Sequence, residues 1–132
     1  MTQEDKELLL KDLCARLPYG VKMNHIADDE HSPKTLIGVA KDMITLEGHG
    51  GYECVDVEDY KPYLFPLSSM TEEQKKELED ILIKLSLKAI SDEIGSEVVA
   101  SYEIDFYNKY HLDYRGLIPM GLAIDATGLK IY

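Results

Sequence analysis

The chain has no tryptophan, only two phenylalanines, two cysteines and two arginines, and no long apolar run. Each shortage excludes something. Unbroken apolar stretches extend to a few residues, as in Leu8-Leu9-Leu10, whereas a membrane-spanning helix needs about 20. The start, Met1-Thr2-Gln3-Glu4-Asp5-Lys6-Glu7, lacks the basic opening and apolar centre of a signal peptide, so a cytoplasmic protein without membrane contact is expected. Basic residues are scarce as well: 14 Lys and Arg against 25 Asp and Glu leave a net charge of −11. Affinity for a phosphate backbone comes from Lys and Arg displacing counterions, so direct nucleic-acid binding is not expected. Cys14 and Cys54 are too few for a zinc site without further ligands nearby. They read as reduced core residues, Cys14 on the apolar side of a helix and Cys54 in a strand, with a disulfide as the alternative.

What is present is an ordinary globular balance, 45% apolar and 30% charged, in 132 residues, the size of one domain. Thr2 caps a predicted helix over residues 3–17, in which Leu10, Leu13, Cys14 and Leu17 form an apolar stripe and Pro18 and Gly20 mark the stop. From Gly20 the period changes to two. Residues 21–25, 36–39, 43–46 and 52–57 read as four short strands, with a polar loop at 28–34 and a glycine turn at Gly48-His49-Gly50-Gly51. Tight connections suggest a small, bent antiparallel sheet or barrel of SH3-like type, with Gly38 suited to the bulge that closure needs. Pro62, Pro66, Ser68 and Ser69 read as an irregular connector.

A capping box at Ser69–Glu72, overlapped by Thr71 and Gln74, opens a long helix predicted from Thr71 to Ile94 and closed by Gly95. Leu78, Ile81, Leu82, Leu85 and Ala89 line one face, and Ile83, Leu87, Ile90 and Ile94 a second. Two apolar faces imply burial between layers, which is the expectation here, or a face docked on a partner or on another copy in a homodimer. A third helix is expected over Val98–His111, with strand as the alternative, followed by an ordered but irregular tail. The fold class is therefore α+β: helix at 1–19, small sheet at 20–67, helices and tail at 68–132.

Chemical motifs are sparse. His25 to His31, enclosing Asp28, Asp29 and Glu30, matches neither an EF-hand loop nor a helical His pair, and reads as a solvated loop. His49 among glycines is a turn residue, and Ser68 and Ser69 are explained by capping. No catalytic, metal or cofactor residues are assigned. Two aromatic segments stand out. Tyr60, Tyr63 and Phe65 are joined by Pro62 and followed by Pro66, giving rigid amphipathic surface for recognition or, the favoured reading, a cover over the core. Tyr110, Tyr114 and Arg115 surround Asp113, where arginine can pair with a carboxylate and stack on a ring, in support of structure more readily than of binding.

Lys61-Pro62-Tyr63-Leu64-Phe65-Pro66-Leu67-Ser68-Ser69-Met70-Thr71-Glu72-Glu73, then Asp113-Tyr114-Arg115-Gly116-Leu117-Ile118 and Gly121-Leu122-Ala123, with Leu17–Lys22 upstream, resemble a family of uncharacterised proteins of gut anaerobic bacteria and their phages or mobile elements. Asp105-Phe106-Tyr107-Asn108-Lys109 replaces the Trp-Leu-Asn-Lys-type helix often seen in that family, and the tail at 124–128 is less glutamate-rich. The family carries no known activity, so the resemblance implies a context, not site residues. The expectation is a non-enzymatic protein-binding or accessory protein. The alternatives are an acidic DNA mimic that blocks a DNA-binding protein and an enzyme with an unfamiliar site.

Overall fold

A computed structural model describes residues 1–91 and 95–132; the predicted helix end at 92–94, including Ile94, lies outside the described residues. Helix α1 spans Gln3–Arg16. Its first turn is closed by a capping box in which Thr2 Oγ1 accepts from Asp5 N at 3.0 Å and Thr2 N donates to Asp5 Oδ2 at 3.2 Å. The buried stripe differs from the predicted one. Lys6, Leu9, Asp12, Leu13 and Arg16 face inward, while Cys14 is exposed and Leu10 and Leu17 are half-buried. The reason is an ion pair: Arg16 Nε donates to Asp12 Oδ2 at 2.7 Å with both side chains fully buried, and counting apolar residues alone misses a polar inner face.

Strands β1 (Lys22–His25), β2 (Lys34–Ala40), β3 (Met43–Gly48), β4 (Gly51–Asp56) and β5 (Tyr60–Pro66) pair antiparallel in the order β4-β3-β2-β1-β5. A short 3₁₀ turn, Val57–Asp59, precedes β5. Pairing of β2 with β3 slips between Leu36 and Gly38, a bulge where the glycine was expected to permit one. His49 and Gly50 make the tight β3–β4 turn, Gly50 at φ 95°. β4 lies at the sheet edge, which leaves Cys54 exposed instead of in the core.

Pro62 and Pro66, read as part of an irregular connector, belong instead to the fifth strand. Pro62 is tolerated because β5 has only β1 beside it over residues 60–62; its second neighbours begin at Tyr63. Those neighbours are two short strands of the tail, β6 (Leu112–Asp113) and β7 (Ile124–Asp125), both parallel to β5, so the sheet is mixed and not purely antiparallel. One core joins Leu9 and Leu13 of α1, Met23, Leu36, Ile44, Leu46 and Leu64 of the sheet, and Leu117 and Leu122 of the tail. At roughly 25 cal/mol per Å² of apolar area removed from water, this burial dominates the stability.

Helix α2 spans Glu72–Ile90, opened by Thr71 Oγ1 accepting from Gln74 N at 3.1 Å, and α3 spans Ser96–Lys109. They pack against each other as a hairpin beside the sheet, and α3 leads directly into β6. No helix among the described residues is long and apolar enough to cross a membrane.

Candidate functional site

The first aromatic segment is largely internal. As part of β5, Tyr60 and Tyr63 are buried, which removes both from any recognition surface. Tyr63 shares a 2.7 Å hydrogen bond between its hydroxyl and His31 Nδ1, and burial pushes its phenol up to about 12. Tyr60 packs edge-on against His25, ring centroids 5.1 Å apart. Tyr60 belongs with Leu64 to the core cluster that α1 closes, while Tyr63, out of phase with them, is buried on the other face of β5.

The second segment is a lock between elements. Tyr114 lies between two guanidinium groups, Arg16 and Arg115, each with Cζ 5.1 Å from its ring centroid, and stacks on Tyr107 at 5.7 Å. Arg115 Nε lies 3.2 Å from Asp12 Oδ1, on the opposite oxygen from Arg16, so one buried carboxylate serves both arginines. Arg16 Nη2 also donates to the Leu112 carbonyl at 2.7 Å, tying α1 to β6. Asp113 accepts from Leu117 N and Ile118 N, both at 2.9 Å, and shapes the turn that follows. Arg115 pairs with Asp12 across the fold, not with the neighbouring Asp113.

Tyr110 belongs to a different contact. Its hydroxyl donates to Glu77 at 2.5 Å, and Lys109 Nζ lies 3.3 Å from the same carboxylate. The Tyr110 hydrogen bond, reinforced by Lys109, holds Glu77 below the usual carboxylate range. These bonds fasten the end of α3 to the first half of α2.

Phe65 and Tyr110, from the two segments, meet in one cleft of about 440 Å³ with His111 and Tyr132. Sequence reasoning overlooked the last two. His111 stacks on Tyr132 with centroids 3.7 Å apart, and occupies the left-handed region at φ 57°. Burial first, then the charges of Arg16 and Lys22, lowers His111 to about 4, so it is neutral at pH 7. Such an imidazole is a weak base at neutral pH, below the range in which general bases work best. Tyr132 donates to the Tyr63 carbonyl at 2.8 Å and accepts from Lys22 N at 2.9 Å, and burial raises its phenol well above the ordinary value. The hydroxyls of Tyr110 and Tyr132 thus already serve the fold, whereas His111 Nδ1 is buried without a hydrogen-bond partner.

The loop at 26–33 is organised from within. Asp28 accepts from Ser32 N and Glu30 N at 3.0 and 2.9 Å, and these backbone bonds lower its pKa. Asn24 Nδ2 donates to the Asp28 carbonyl at 2.8 Å. Among the described residues no three His, Cys, Asp or Glu side chains group closely enough to hold a metal ion.

Among the described residues, α2 carries an exposed apolar surface with no structural role. Of its apolar residues only Leu85 is buried, while Ile83 is 54%, Leu87 64% and Ile90 80% exposed. Leu78, Leu82, Ile83 and Leu87, with Met70 at one end, line a shallow groove of about 580 Å³, bordered by Lys75, Glu79 and Ser86. The second apolar face, expected to be covered by the C-terminal third, is open instead. The tail adds β6 and β7 to the sheet, and α3 covers only one side of α2. Comparison of the chain with protein-family models, curated proteins and solved structures returned no match.

Proposed function

We propose that this chain is a non-enzymatic binding protein, and that its contact surface is the open apolar face of α2. The observation that carries this reading is the run Ile83, Leu87 and Ile90, more than half exposed on a helix with one buried residue. A helix this long gains most of its stability from a packed apolar face, and contiguous exposed apolar surface marks interaction sites. The two aromatic segments take a supporting part: Tyr110 and Lys109 fasten α2 to α3, so that the face is presented on a braced helix. An accessory role in the cytoplasm of a host carrying a prophage or mobile element is suggested by the resemblance of the 61–73 and 113–118 motifs.

Affinity purification of the full chain from its native host, beside the Ile83→Glu/Leu87→Glu variant, tests the reading. Both substituted positions are exposed, so the variant keeps its fold. A partner, or a second tagged copy, retained by the parent and lost by the variant is the expected result. Equal retention by both would move the function away from α2.

A further inference from the structure

Resting on that reading of α2 as the contact surface, we propose that its occupant is a second copy of this chain, with the two α2 helices antiparallel across a two-fold axis. Six of the eight residues that line the groove read alike in both directions, Leu78, Glu79, Leu82, Ile83, Ser86 and Leu87, with Lys75 and Met70 beyond them at one end. A two-fold axis between Leu82 and Ile83 sets Leu82 against Ile83 of the second copy, Leu78 against Leu87, and Glu79 against Ser86. An isologous dimer requires this kind of self-complementary patch, because each contact occurs twice with the residues exchanged.

At 100° per residue, Glu79 and Ser86 fall at the centre of the face, Leu82 and Ile83 beside them, and Leu78 and Leu87 outermost. Glu79 decides the direction. A parallel, in-register pair would set Glu79 against its own copy among leucines, two like charges removed from water. The antiparallel pair sets the Glu79 carboxylate against the Ser86 hydroxyl, which can donate to it. Lys84 and Lys88 lie on the far side of α2 from this groove, so the direction rests on Glu79 and Ser86, in a protein whose overall charge of −11 opposes self-association. The opposite side of α2 already packs on α3, which leaves this groove for another molecule.

Sedimentation of the full chain over a micromolar-to-millimolar range tests the dimer. The mass should rise from 15.0 kDa towards twice that value, and Ile83→Glu/Leu87→Glu should hold it at 15.0 kDa, with the parent's melting temperature at concentrations where the parent is monomeric. Direction is read by disulfide trapping in a Cys14→Ser/Cys54→Ser background. Glu79→Cys mixed with Ser86→Cys should cross-link, while neither variant alone should, because like positions stand about seven residues, roughly 10 Å, apart along the axis. A parent chain that stays monomeric at every concentration overturns the dimer, without touching the affinity test of α2 as a surface for some other partner. A dimer that survives the double substitution, or one trapped by Glu79→Cys alone, overturns it as well.

Discussion

The sheet and the α2–α3 hairpin use apolar residues of the same kinds in opposite ways. In the sheet, Met23, Leu36, Ile44, Leu46 and Leu64 are sealed from solvent by α1 on one side and the tail around Leu117 and Leu122. In α2, Ile83, Leu87 and Ile90 stand open, and the helix is held by a capping box, one buried leucine and the bonds of Glu77 to Tyr110 and Lys109. A strand presents alternate residues to one shared core, whereas a helix with two apolar faces needs two neighbours, and α3 supplies one. The difference teaches that the core and the open apolar face of α2 are separable here: one part can be damaged without the other.

The strongest way to break the comparison is at its buried charge. Asp12→Ala leaves Arg16 buried without its carboxylate and removes the partner of Arg115, and should destabilise the chain by about 3–5 kcal/mol in urea unfolding. A loss under about 1 kcal/mol would mean that the lock around Tyr114 is solvated. Leu46→Ala, inside the sheet, should destabilise by roughly 2–5 kcal/mol, while the same truncation at Leu87 should fall within about 0.5 kcal/mol. Equal effects at the two leucines would erase the distinction.

Acid should act through the seam where the two regions meet. His111 has a folded pKa of about 4 against an ordinary 6.5, so the unfolded chain binds the extra proton between those values. Its contribution is complete above about pH 6.5 and is lost as pH falls towards 4. The expected loss is about 2 kcal/mol, less than the full linkage because the ring keeps some contact with water. His111→Asn, which tolerates the left-handed backbone, should flatten the stability profile over that interval. The smallest effect sharpens the hairpin alone: Thr71→Ala should lower stability by about 1 kcal/mol through loss of the α2 cap, read by thermal melting followed by circular dichroism.

Much of this was legible in the residues, and the failures have common causes. The Thr2 cap, the Thr71–Gln74 capping box, the β2–β3 and β3–β4 hairpins, the Gly38 bulge and the two faces of α2 all follow from local chemistry. Strand β5 was hidden by Pro62 and Pro66, because tolerance of proline depends on where neighbouring strands begin. The inner face of α1 was hidden by Asp12 and Arg16, whose burial requires Arg115 and Leu112, about a hundred residues away along the chain. The cleft residues His111 and Tyr132 carried no motif, and only folding stacks them. Cys14 and Cys54 were assigned inward by residue type, yet the rotation of α1 and the edge position of β4 expose both.

By itself, then, the sequence determined an α+β chain with capped helices, short hairpins and one helix apolar on two sides, because propensity, capping and periodicity act within a few residues. Only the tertiary structure decided that the tail extends the sheet in place of covering α2. That choice depends on parallel pairing of β6 and β7 with β5, which joins residues about 50 to 60 positions apart and leaves no local trace. It is also what leaves Ile83, Leu87 and Ile90 open to solvent.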